Sequence, residues 1–126
     1  MPAAELVNED GGPIFLQIAA QLENAIVDGS LAEESQAPST NELAAFHRIN
    51  PATAAKGLNR LVDDGVLYKR RGIGMFVATG AREQLRKRRR SEFAQQYVVP
   101  LLTEAEKLGI SGTEISAMID ERGGRP

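Results

Sequence analysis

The sequence predicts a mainly α-helical protein with one small β-hairpin. Three observations carry this. Two helix-start signatures stand close together, at Ser39 and Asn50. Short runs of strand formers then flank Arg71-Gly72-Ile73-Gly74. After Gly80, apolar residues repeat at three- and four-residue steps. Together they describe a winged helix-turn-helix head followed by a C-terminal helical segment.

Taken in order, Met1 to Gly12 is polar, acidic and Gly-ended, and reads as a flexible tail. A first helix is expected from Pro13 to about Asp28. Phe15, Ile18, Ala19, Leu22, Ala25 and Ile26 form its apolar stripe, and Gly29 stops it. Ser30 to Pro38 is a connecting loop, from which Leu31 is expected to make a brief strand contact with the wing. Ser39-Thr40-Asn41-Glu42 is a capping box that opens a short helix over Ser39–Phe46. His47–Ile49 is a tight link, with His47 expected at the turn or surface.

Asn50 followed by Pro51 starts the next helix: Asn is a favoured N-cap, and Pro suits the first helical position. Ala54, Leu58, Leu61 and Val62 share one face. Ala52, Thr53, Lys56, Asn59 and Arg60 fall mostly on the other, as short or cationic donors suited to base edges and phosphates. Gly65 ends the helix. Val66–Arg70 and Met75–Val77 read as the two wing strands, and the glycines between them permit the positive φ of a hairpin loop.

Thr79-Gly80 reads as a hinge. A long helix is expected from Arg82 to Leu108, kinked at Pro100. Ala94, Tyr97, Val98, Leu101, Leu102, Ala105 and Leu108 make its apolar face. A second capping box, Ser111-Gly112-Thr113-Glu114, starts the last helix, where Ile115, Met118 and Ile119 share a face and Gly123-Gly124 follows. The expected organisation is a tail over 1–12, a head over 13–78 and a two-helix segment over 79–126.

The 126 residues suffice for one domain and a small appendage. No apolar run reaches the length of a membrane span, and no secretory signal is expected at the N-terminus. There is no Cys and a single His, so disulfides, thiolate metal sites and His-cluster chemistry are excluded. The Glu pairs Glu33-Glu34 and Glu104/Glu106 have no neighbouring nucleophile, and no catalytic constellation emerges. Neither a cofactor nor an enzyme activity is expected.

The net charge of −2 hides a strong asymmetry. Residues 1–50 carry one cation and eight acids, residues 51–90 eleven cations and three acids, and residues 91–126 three cations and six acids. The positive block begins at the second motif helix and runs through the wing to Arg90. Its tail, Arg86–Arg90, reads as a solvated helix face or as a further phosphate contact. The cations match the residue type needed for phosphate binding.

The run resembles the GntR family of bacterial transcription regulators, and most its short YtrA-like branch. The matching stretches are Pro13–Ile18, Pro38–Ala44, Asn50–Lys56, Leu61–Leu67 and Arg70–Val77, in order and at matching spacing. The resemblance implies a cytoplasmic, nucleoid-associated homodimer that binds an inverted-repeat operator, usually as a repressor. Three positions depart from the family pattern. Ala37 replaces the usual Leu, Asn41 stands where Arg often helps hold DNA, and Gly57 where Ala is preferred. Gly inside a helix costs about 1 kcal/mol, so Gly57 is expected to have a close packing neighbour.

The expected DNA-facing set is Ser39, Thr40 and Asn41 at the first motif helix, Asn50, Pro51, Ala52, Thr53, Lys56 and Arg60 on the second, and Arg70, Arg71, Gly72 and Gly74 in the wing. The expected dimerisation set is Ala94, Tyr97, Val98, Leu101, Leu102, Ala105, Leu108, Ile115, Met118 and Ile119. Two helices with one apolar face each cannot close a core alone, so pairing with a second chain is the simpler solution. An enclosed ligand pocket is not expected; the seam between chains is left open to an unidentified small-molecule effector. The alternative is a winged-helix module that docks an acidic protein and reads no DNA.

Overall fold

In the computed structural model, residues 7–123 are described, apart from the side chain of Glu9. The elements are α1 (Ile14–Asp28), α2 (Thr40–His47), α3 (Pro51–Asp63), β1 (Leu67–Arg70), β2 (Gly74–Val77), α4 (Ala81–Phe93), α5 (Val99–Leu108) and α6 (Gly112–Glu121). A 3₁₀ turn over Glu9–Gly11 precedes them. The fold is mainly helical with one antiparallel hairpin. By packing, the chain divides into two units, up to Lys87 and from Arg88 onward.

In the first unit, α1 runs from the Pro13 cap to Gly29, whose φ of 87° ends it in the left-handed region. Ile18, Leu22 and Ile26 bury its apolar stripe against Leu58 and Leu61 of α3 and Leu43 of α2. Val66, Leu67, Val77, Ala81 and Leu85 close the same core. Each buried Leu, Ile or Val among them stabilises the head by about 1.5–3 kcal/mol.

Residues 8–12 correct the expectation of a flexible tail: the Gln17 side chain holds them. Its amide donates to the carbonyls of Asn8 (2.6 Å) and Gly12 (2.9 Å), and its oxygen accepts the Asn8 amide (3.1 Å). The rest of the expected tail, residues 1–6, and Gly124 at the expected end of the last helix lie outside the described residues.

The wing pairs Leu67 with Val77, Tyr68 with Phe76, Lys69 with Met75 and Arg70 with Gly74. Its loop closes when the Ile73 amide donates to the Arg70 carbonyl at 3.0 Å, with Gly72 at φ 76°. A third strand-like contact exists, but not through Leu31. The amides of Glu34 and Ala37 donate to the carbonyls of Val77 and Met75, both at 2.8 Å. Leu31 cannot take that role because its amide already donates to Ala25 at the end of α1. It packs instead, half-buried, against the core.

In the second unit, the expected single helix over Arg82–Leu108 is interrupted. A π turn over Ala94–Val98 separates α4 from α5, and the Val99 amide reaches back to Ala94. Pro100 has no amide to continue the ladder, and the preceding turn widens by one residue. The capping box at the start of α6 forms: Ser111 Oγ accepts the Glu114 amide at 3.1 Å, and Glu114 returns the contact to the Ser111 amide at 3.1 Å.

Candidate nucleic-acid interface

The helix-turn-helix is set by local chemistry at each joint. The capping box of α2 forms, with the Glu42 amide donating to Ser39 Oγ at 3.0 Å and the Ser39 amide to Glu42 Oε1 at 2.9 Å. Thr40 is half-buried and Asn41 exposed beside it. Arg48 ends α2 in the left-handed region, at φ 56°, and the Ile49 amide returns to Ala44 at 3.0 Å. Asn50 then caps α3: its Oδ1 accepts the Ala52 amide at 2.7 Å, with Pro51 in the first turn.

His47 corrects the surface reading. It is buried, 7% exposed, and meets the Phe46 ring edge-on at 4.9 Å. Its Nδ1 has no hydrogen-bond partner among the described residues. Burial holds its pKa below the ordinary histidine value. Spacing alone put it in a three-residue link, but α2 extends through His47 and places it on the same buried face as Leu43 and Ala44.

The outward face of α3 presents Pro51, Ala52, Lys56, Asn59 and Arg60 to solvent, with Thr53 half-buried. Lys56 is not loose: its Nζ lies 4.2 Å from the centre of the Phe15 ring. Phe15, expected only as core, therefore also floors an open groove of about 530 Å³ with Ala52, Ala55, Lys56, Asn59, Arg60 and Asp63. Arg60 Nε pairs with Asp64 at 3.5 Å, an exposed contact of little energetic weight. Gly57 lies beneath this face. A Cβ there would meet the Phe15 carbonyl oxygen at 2.9 Å and Ile18 Cγ2 at 3.1 Å, which gives the close neighbour expected from its place in a helix.

On the wing, Lys69, Arg70, Arg71 and Gly72 are exposed, and Gly74 is half-buried. Gly74 has φ 145° and lies under Gln36; a Cβ there would come within 2.5 Å of Gln36 Nε2, which donates to the Ile73 carbonyl at 3.1 Å. Arg71 makes no hydrogen bond or ion pair among the described residues. Arg70 is engaged: its guanidinium lies 4.4 Å over the Phe76 ring, donates to Tyr68 Oη at 3.3 Å and stands 3.9 Å from Glu34. Glu34 and Phe15 are the site residues that sequence reasoning missed. No local spacing links either of them to its cation.

In the second unit, Tyr97 (61%), Leu101 (46%), Leu102 (52%), Leu108 (63%), Met118 (47%) and Ile119 (47%) are exposed in the single chain, as is Ala94, with Val98 half-buried. Ala105 and Ile115 differ: they are already buried in the single chain, at 6% and 9%. Both line an open apolar groove of about 360 Å³ with Leu101, Leu108, Ile110 and Met118. No helix among the described residues is long and apolar enough to cross a membrane, and no group of His, Asp and Glu among them could hold a metal.

The model of the family described as "Bacterial regulatory proteins, gntR family" matches residues 15–77, half of the chain. The HTH-type transcriptional repressor NagR of Bacillus subtilis is 38% identical over 57% of this chain, a match that spans only 30% of that repressor. The HTH-type transcriptional repressor YtrA of the same organism is 29% identical over 86% of this chain and 83% of its own length. Among solved structures, a GntR-family protein from Bacteroides thetaiotaomicron is 35% identical with a TM-score of 0.68, covering 89% of this chain and 97% of that one. AraR(DBD) in complex with operator ORX1 is 26% identical with a TM-score of 0.54, over 62% of this chain and all of that one. The two capped motif helices, the glycine-tipped wing and these likenesses agree: the chain belongs to the gntR family of bacterial regulatory proteins, in its short YtrA-like branch, and is a winged-helix transcription regulator.

Proposed function

We propose that this regulator is a repressor that binds an inverted-repeat operator as a homodimer. The observation that carries this is the exposed start of α3, with Asn50, Pro51, Ala52 and Lys56 open to solvent and Thr53 half-buried among them. In the proposed complex the N-terminal turn of α3 enters the major groove, where Asn50, Ala52, Thr53 and Lys56 read base edges. Lys56, Arg60 and Arg71 supply phosphate contacts, and Gly72 and Gly74 let the wing backbone approach. Ser39, Thr40 and Asn41 approach the backbone from the start of α2. The AraR neighbour bound to its operator supports this use of the fold.

The proposed division of labour is a DNA-binding head over residues 13–78 and a dimerisation segment over 79–126. Eight of the eleven large exposed hydrophobic side chains among the described residues fall between Phe93 and Ile119. A second copy of the chain is the occupant proposed for this face, with Tyr97, Leu101, Leu102, Leu108, Met118 and Ile119 at the seam. Ala105 and Ile115, already buried, support that surface from beneath. Such a regulator would work in the bacterial cytoplasm on the nucleoid, with double-stranded DNA and its own copy as partners.

The test is a mobility shift on the duplex immediately upstream of the protein's own coding region, against a scrambled duplex. The expected result is a shift of the native duplex alone, with log Kd rising by about 0.9 per phosphate contact for each tenfold rise in salt. Lys56→Ala weakens binding. Equal binding to both duplexes removes the sequence-reading claim. No binding at moderate salt, with regulation in the cell unchanged by Lys56→Ala, favours a protein-docking module instead.

A further inference from the structure

Glu34 occupies an unusual place. It stands in the loop before α2 with φ 64°, a left-handed conformation that side chains of its kind seldom adopt. Its amide fixes it to β2 by donating to the Val77 carbonyl at 2.8 Å. Its carboxylate then gathers side chains from two other segments. The hydroxyls of Tyr68 on β1 and of Thr79, just ahead of α4, both donate to it. Arg70 Nη2 lies 3.9 Å from the same oxygen that takes Tyr68.

Arg70 keeps a half-exposed side chain, its ion pair with Glu34 has little weight alone, and it is the combination of three neighbours that sets it apart. Glu34 supplies the charge, Tyr68 Oη accepts at 3.3 Å, and the Phe76 ring lies 4.4 Å below the guanidinium. Arg71, the next residue, is exposed beside Gly72. The two neighbouring arginines of the wing thus have different surroundings. A backbone outlier that places a carboxylate inside a cationic element points to a use for that carboxylate.

We propose that Glu34 is a positioning residue of the nucleic-acid face: it draws Arg70 onto the base of the wing and leaves Arg71 as the wing's phosphate contact. This rests on the DNA-binding reading given above and narrows the sequence-based set, in which both arginines met DNA. The physical consequence concerns selectivity. Each phosphate contact strengthens binding to every duplex alike. Withdrawing Arg70 lowers affinity for unrelated DNA while the base contacts of α3 are kept. The hydrogen bonds from Thr79 and Tyr68, with a smaller pull from Arg70, hold the Glu34 carboxyl below the usual carboxylate range, so it stays charged at neutral pH.

The experiment measures the salt dependence of duplex binding for the full chain and five variants. These are Arg70→Ala, Arg71→Ala, Glu34→Gln, Glu34→Gly and Glu34→Gln with Arg70→Ala. Arg71→Ala should flatten the log Kd against log salt slope by about 0.9 per head. Arg70→Ala should leave it unchanged while Glu34 is present. Glu34→Gln should steepen it by about 0.9 per head. For two heads, the ratio of Kd between about 50 and about 200 mM salt then grows roughly tenfold. Adding Arg70→Ala to Glu34→Gln should cancel that gain. Glu34→Gly suits the φ of 64° and also lacks the carboxylate, so it should reproduce the Glu34→Gln slope even if the amide variant folds poorly. Arg70→Ala flattening the slope as much as Arg71→Ala, with Glu34 in place, overturns the proposal. If no form binds the duplex, the DNA-binding reading fails, and the Nε–H NMR signal of Arg70 in the free protein decides this one alone. A signal that moves toward that of a solvated arginine in both Glu34 variants upholds the positioning role; one that does not move overturns it.

Discussion

Gly57→Ala isolates the contact that sets the distance between α1 and α3. Helix propensity alone favours the change by about 1 kcal/mol, since Gly is a poor helix residue and Ala the best. The structure gives the opposite sign. The new Cβ would stand 2.9 Å from the Phe15 carbonyl oxygen, 3.1 Å from Ile18 Cγ2 and 3.2 Å from Ile18 Cβ. The first of these is backbone within α1, and Ile18 is fully buried, so neither can swing aside. Relief requires moving α3 off α1, and overpacking of this kind costs about 1–3 kcal/mol. With a backbone atom in the way, the upper half of that range applies, leaving a net loss of about 1–2 kcal/mol. For a unit of this size the melting temperature should fall by on the order of 5–15 °C, read by circular dichroism. DNA affinity should fall as well at temperatures where the variant is folded, because neighbouring Lys56 is seated on Phe15. A raised melting temperature would refute the reasoning and show that the two helices separate at little cost.

Further outcomes are expected at three residues. Asn50→Ala removes the acceptor of the Ala52 amide and should lower stability by about 0.5–2 kcal/mol. Asn50→Asp keeps the cap, so its melt should match the parent while its duplex affinity drops through the added negative charge; a parent-like affinity argues against DNA at this helix tip. The His47 pKa is depressed below 6.5 by burial, so the folded state resists a proton that the unfolded chain accepts. Its stabilising contribution is complete above that value and is lost as pH falls through the folded pKa. The melting temperature should therefore decline from about pH 7 toward about pH 5, and His47→Leu should flatten that decline. Leu101 is 46% exposed in the single chain, so Leu101→Glu should leave the helical content unchanged. Sedimentation velocity should then show a monomer, and a dimer of unchanged strength would remove this face from the interface.

What the residues determined by themselves is what forms within about one helical turn. The capping boxes at Ser39 and Ser111 and the Asn50-Pro51 start each join groups at most three residues apart, so their spacing is their structure. The stops at Gly29 and Gly65 and the glycine-tipped loop follow from φ alone. The break near Pro100 was legible from its missing amide, but its form was not, since a kink and a π turn both answer a lost hydrogen bond. Tertiary structure decided everything that joins distant segments: Phe15 beneath Lys56, Glu34 against Arg70, the inward turn of His47, and the seating of residues 34–37, rather than Leu31, along β2. The cross-segment pairings have no periodicity to announce them, and His47 shared the spacing of Leu43 and Ala44 only once α2 was seen to run through it. The pairings arise because three helices and a hairpin share one core, and close packing lets only certain side chains meet. The basic block was plain in the sequence, but which of its cations are free to reach another molecule depends on those meetings.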